Sequence, residues 1–125
     1  MLRLPILCYH KVGPESEEGR YLNVEPERLR AHIRYLKRQG YQFALAKSLA
    51  QAWSERTVCL TFDDAYQSTM THGIEAMLSE DVRASVFATP GLVGKASSWD
   101  GDRAAGGPPG HSDSLGRFLA AARPG

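Results

Sequence analysis

Long apolar runs are missing from this 125-residue chain, and so is any excess of charge of one sign. A helix needs about 20 consecutive apolar residues to span a bilayer, and no stretch here offers them. The apolar start, residues 4–9, is too short for a secretory signal core with its flanks, so the chain as written is expected in the cytoplasm. Export stays open if a segment precedes Met1. Fifteen Lys and Arg against fourteen Asp and Glu leave a net charge of +1, which speaks against nucleic acid or an anionic membrane as partner. Cysteine is scarce too. Cys8 and Cys59 lack the paired spacing of a zinc-binding motif, and both sit in apolar, strand-like segments. They read as buried free thiols, with a disulfide open only if their strands are neighbours.

The remaining composition, 42% hydrophobic and 23% charged, is that of one small globular domain with a core. Its most informative stretch is Val58-Cys59-Leu60-Thr61-Phe62-Asp63-Asp64-Ala65. A short apolar run ending in two carboxylates is the pattern of a buried parallel strand that delivers acids to the carboxyl edge of a sheet. Active sites of α/β folds lie at that edge. Two adjacent aspartates ionise together only at a cost unless a cation or hydrogen-bond donors stand near, so the pair points to a metal or to a base beside one. Capping of the next helix explains one aspartate but not two.

Around this strand the chain alternates. Residues 4–10 read as a first strand, and the charged, Gly-containing stretch 15–20 as a solvated loop. Pro26 suits the first position of a helix whose apolar face carries Leu29, Ile33 and Leu36, stopped by Gly40. Residues 41–46 predict a short strand and residues 47–53 a short helix with Leu49 and Trp53 on one side. After the aspartates, Tyr66, Met70, Ile74, Met77 and Leu78 form a helical core stripe in which Gly73 marks a kink. Residues 84–88 predict another strand, and Thr89-Pro90-Gly91 a turn. There is no internal repeat. The β-α-β-α-β order predicts an α/β fold with a parallel sheet.

Several of these segments together resemble the polysaccharide deacetylase family. Thr61-Phe62-Asp63-Asp64-Ala65 is similar to its T-F-D-D-G signature, and Leu7-Cys8-Tyr9-His10-Lys11-Val12 to its opening Y-H-x-V strand. Pro26-Glu27 through Leu36-Lys37-Arg38-Gln39-Gly40-Tyr41 resembles its P-E-x-F…Y-L-K-x-x-G-Y helix, and Arg83 to Thr89 with Gly91 to Gly94 its later strand and turn. The match runs in order over residues 4–99. Ala65 stands where the signature has Gly, a departure that matters only if the position needs a positive φ.

The resemblance implies the N-terminal part of a distorted (β/α) barrel, and metal-dependent removal of N- or O-linked acetyl groups from a polysaccharide or oligosaccharide. It implies Asp63 as general base on the attacking water. It further implies Asp64 as ligand of a divalent metal, usually zinc, with two histidines from a later H-[S/T]-x-x-H motif. The chemistry suits the residues: a metal polarises the carbonyl and holds water, and a carboxylate takes the proton. The substrate among acetylated sugars is left open.

Those two histidines do not follow. In His111-Ser112-Asp113-Ser114-Leu115 the second would fall on Leu115, which cannot bind metal, so His111 is a weak candidate. The region after Trp99 is different in kind, since residues 101–125 hold six of the twelve glycines and three of the seven prolines. Residues 1–99 are therefore read as the N-terminal part of the deacetylase-like domain and 100–125 as a Gly/Pro-rich tail with one short helix. Either residues 112–125 match the helix that precedes the missing motif, or a shifted reading frame supplied the tail. Barrels of this type need at least about 200 residues. The chain is thus expected to be truncated, weakly active or inactive, and open to self-association through an exposed sheet edge.

His10 either lines the substrate site or merely caps its strand. His32 and His72 read as surface or core-edge residues. Trp53 and Trp99 read first as packing, with Trp99 the candidate to face substrate. A phosphoryl-accepting receiver domain, which also ends a strand in paired acids, would need the pair on its first strand and an Asp at a later strand end; neither is present. A non-catalytic carbohydrate-binding remnant or a pseudogene product is the alternative that stays open.

Overall fold

The computed structural model describes residues 3–51 and 53–92. Residues 93–125, with Trp99 and His111 and the proposed tail domain, lie outside the described residues. The described part is a parallel sheet with helices on it, as the alternation predicts. Strand β5, Thr57–Asp63, is its centre. It pairs in parallel with β1, Ile6–Tyr9, along one edge. Its other edge is shared: β4, Gln42–Ala44, lies against Thr57 to Cys59, and β6, Ser85–Phe87, against Thr61 to Asp63. The first strand is shorter than the predicted 4–10. Lys11–Val12 instead forms β2, which pairs with β3, Asn23–Val24, in a separate two-stranded sheet.

Between β2 and β3 the predicted loop contains a short helix, α1, Glu15–Glu18. It is held by tertiary contacts that sequence polarity does not reveal. Lys11 is fully buried, and its Nζ donates to the Glu18 carbonyl at 3.1 Å. Asn23 closes the loop by donating from Nδ2 to the carbonyls of Gly13 and Gly19, at 3.0 and 3.1 Å.

Helix α2, Pro26–Arg38, starts at a proline and has basic residues in its last turn, where they offset the negative end of the helix dipole. Leu29 and Ile33 are buried and Leu36 half-buried. Gly40 takes φ +80°, the left-handed conformation that ends many helices. The predicted helix over 47–53 is only a 3-10 turn, Ala46–Ser48, whose first amide donates to Ser85 Oγ at 2.8 Å. Trp53 is half-buried.

After the aspartates the chain forms one turn of π-helix, Thr69–Gly73, before α3, Ile74–Ser79. The expected single stripe is therefore broken. Tyr66 and Met77 are buried, but Leu78 is 73% exposed. Gly73 packs where a side chain would crowd: a Cβ there would lie 3.3 Å from Val12 Cγ2. The core joins Val58, Leu60 and Phe62 of β5 to Leu29 and Ile33 of α2 and Ala76 and Met77 of α3, with Val12 and Val82. By strand alternation, Thr57, Cys59, Thr61 and Asp63 project to the opposite face.

Candidate active site

Strands β1 and β5 end side by side. Their register pairs Cys8 with Thr61 and Tyr9 with Phe62, which brings His10 level with Asp63. Alternation puts Cys8, His10, Thr61 and Asp63 on the face away from the core, while Tyr9 and Phe62 anchor the strands on the core side, their rings stacked at 5.4 Å. The Tyr9 hydroxyl hydrogen-bonds His32 Nδ1 at 3.0 Å, and burial pushes this phenol above its ordinary pKa.

His10 Nε2 lies 3.9 Å from Asp63 Oδ2. That is within ion-pair range when the imidazole is protonated and beyond hydrogen-bond reach. Both side chains keep access to solvent, 24% exposed for His10 and 43% for Asp63. His10 is therefore placed beside the aspartates at the strand ends. One ligand atom each from Cys8, His10 and Asp63 lies within 4.8 Å of the other two. Cys8 departs from expectation: it is exposed, as is Ile6 on the same face of β1, whereas Cys59 is buried as expected. Both are free thiols. The Cys8 thiol is pushed up, first by desolvation and then by the negative charges of Asp63 and Asp64, against the lowering effect of its hydrogen bond with Thr61.

The chain bends sharply after Asp63. Asp64 has φ +70° and Ala65 φ +47°. Aspartate tolerates the left-handed region better than most residues, whereas alanine there is strained by roughly 1–2 kcal/mol. The position where Ala65 replaces the signature glycine is thus one that does favour glycine. The backbone thus leaves the strand conformation at Asp64, directly after Asp63 ends β5.

Two residues with no signal of their own in the sequence hold this edge together. Thr69, fully buried in the π turn, donates its hydroxyl to the His10 carbonyl at 2.7 Å. Ser68 Oγ accepts from the Val12 amide at 3.3 Å. The turn after the aspartates is thereby tied to the segment after β1, which fixes His10 next to Asp63. A polar residue in an amphipathic stripe looks like surface, and only the tertiary pairing reveals its partner. A shallow groove of about 200 Å³ opens beside these residues, lined by Cys8, Tyr9, His10, Lys11, Arg20 and Asn23 among others. His72, as expected, sits at the edge, 3.7 Å from Glu17.

Asp63 and His10 thus stand together at the carboxyl edge of a parallel α/β sheet, and known proteins share that fold. No model of a known protein family matches the chain. In sequence, it is 28% identical over 99 residues to YxkH of Bacillus subtilis, which is assigned to the polysaccharide deacetylases; that alignment covers 74% of this chain and 33% of YxkH. It is 32% identical over 71 residues to the poly-beta-1,6-N-acetyl-D-glucosamine N-deacetylase of Escherichia coli K12, covering 52% of this chain and 11% of that protein. In structure, it superposes on IcaB from Ammonifex degensii with a TM-score of 0.73 at 20% identity, over 94% of this chain and 47% of IcaB. The deacetylase PplD of Streptococcus pyogenes matches with a TM-score of 0.70 at 21% identity, over 94% of this chain and 50% of PplD. Sequence and structure neighbours agree: the chain matches part of a polysaccharide deacetylase, and its fold is theirs over the aligned part. It spans a third of YxkH and about half of these two structural relatives. Among the described residues no helix is long and apolar enough to cross a membrane.

Proposed function

We propose that this chain carries part of the machinery of a metal-dependent hydrolase that removes acetyl groups from an acetylated polysaccharide or oligosaccharide. The observation that supports this most is the placement of Asp63 and Asp64 at the end of the central parallel strand, with His10 beside them. The sequence and fold relatives named for deacetylation support the reaction class.

The donor chemistry at this edge, the Asp63 and Asp64 carboxylates with the His10 imidazole close to Asp63, fits a divalent cation. Asp64 is the residue proposed to hold the metal, probed against Asp63 as base. When bound, such a metal supplies Lewis-acid polarisation of the acetyl carbonyl and lowers the pKa of water. Asp63, half open to solvent, is the group proposed to take a proton from the attacking water. His10, fixed through its carbonyl by Thr69, stands within reach of Asp63 and of a sugar in the adjoining groove. The substrate class is proposed as sugars with N-acetyl groups, with O-acetyl groups as the second choice.

The test is acetate release from N-acetylglucosamine oligomers and from acetylated xylan by the full chain supplied with zinc. Release is expected to stop on chelation and to fall by about 10²–10⁴-fold in Asp63→Asn, the usual worth of a general base. Asp64→Asn is expected to lower the zinc retained as well as turnover. Release that survives chelation, or that is unchanged in Asp63→Asn, overturns the proposal. If the folded, zinc-loaded chain binds the oligomers but releases no acetate, the non-catalytic carbohydrate-binding reading takes its place.

A further inference from the structure

We propose that Cys8, His10 and Asp63 form a binding site for a divalent cation of zinc-like softness, with the Cys8 thiolate among its ligands. Three donors of different chemistry converge here from two strands. Cys8 and His10 project to one face because they are two residues apart on an extended segment. Asp63 joins them because β1 and β5 run parallel and end level. Their ligand atoms lie within 4.8 Å of one another, and the His10–Asp63 distance is 3.9 Å. Ligands around a tetrahedral zinc are roughly 3.3–3.8 Å apart, given its bond lengths of about 2.0–2.3 Å. Closure therefore asks the widest pair to approach by about 1–1.5 Å, shared between two side chains, one of them the exposed Cys8.

The donor types choose the cation. Thiolate and imidazole disfavour calcium and magnesium, which take oxygen ligands, and favour zinc or cobalt. Open coordination positions would be filled by water or substrate. Binding replaces the thiol hydrogen by the metal: the sulfur–metal bond forms as the S–H proton leaves to solvent. The site differs from the one proposed above, where Asp64 is the ligand and Asp63 stays free to act as base. A cation held by Asp63 takes the carboxylate that hydrolysis needs, so the two roles exclude one another in any one molecule. Occupation of the Cys8 site should therefore oppose turnover.

The experiment is a cobalt(II) titration of the full chain followed by absorption spectroscopy. The expected result is a thiolate-to-cobalt charge-transfer band in the near ultraviolet, absent in Cys8→Ala, with cobalt bound on the order of 100-fold more weakly by that variant. Cys8 is exposed, so the variant should keep the wild-type circular dichroism. A second readout needs no variant. Mass spectrometry after iodoacetamide treatment should show Cys8 alkylated in the metal-free chain and protected by zinc, with buried Cys59 slow in both. No bound cobalt, no charge-transfer band, a band retained in Cys8→Ala, or equal alkylation of Cys8 with and without zinc each overturns the proposal. Acetate release from a chain that lacks the band upholds only the deacetylase reading; a band without acetate release upholds only this site.

Discussion

Tyr9 stacks on Phe62 with ring centroids 5.4 Å apart, directly beneath the strand ends that carry His10 and Asp63. Each ring is next in sequence to its functional neighbour. The core contact and the site contact are thus two faces of the same strand pair, and the register that packs the rings also sets the distance between imidazole and carboxylate.

Phe62 is fully buried, so Phe62→Ala should lower stability by about 3–5 kcal/mol, the usual cost of an aromatic cavity. Urea denaturation followed by circular dichroism measures it. A loss below about 1 kcal/mol would mean that β1 and β5 are not packed as described.

Ala65 sits at φ +47° and is almost fully buried. Glycine would remove roughly 1–2 kcal/mol of backbone strain and lose about 0.8 kcal/mol of methyl burial. Ala65→Gly is therefore expected to stabilise the chain slightly, by about 0.5 kcal/mol, seen as a higher denaturation midpoint. A clear fall in the midpoint would argue against a left-handed conformation at this residue.

Thr69 acts on the site through His10. Thr69→Val keeps the shape and removes the donor, leaving a part-buried carbonyl without that partner, for a loss of about 1–2 kcal/mol. Zinc binding should weaken with it, and Thr69→Ser, which keeps the hydroxyl, should restore both. Calorimetric zinc titration separates positioning from stability: unchanged affinity in a folded Thr69→Val would remove Thr69 from the site.

Asn23 ties Gly13 and Gly19 together across the α1 loop. Asn23→Ala should cost about 1–2 kcal/mol for two lost hydrogen bonds to backbone. Limited proteolysis should then cut first between residues 13 and 22. Cleavage elsewhere at an unchanged rate would show that the loop holds without this side chain.

Much of this was legible in the chain. The helix starting at Pro26, the strand ending at Asp63 and the parallel alternation follow from periodicity and local chemistry, which act within a few residues. The candidates Asp63, Asp64 and His10 were visible as chemistry at strand ends. The short helix at Glu15–Glu18 was not, because a buried lysine and an asparagine from the next strand hold it there. The π turn was hidden for a similar reason: it accommodates the close approach of Gly73 to Val12, a contact 61 positions away in sequence.

The sequence by itself determined which residues could do chemistry and which faces of its segments are apolar, because side-chain type and spacing are local properties. Tertiary structure alone decided that Cys8 is exposed, that Ala65 adopts a conformation suited to glycine, and that Thr69 holds His10. It also decided that His10 stands 3.9 Å from Asp63. That distance depends on the register between β1 and β5, and register is set by how two distant segments pack against a common core, not by either segment alone.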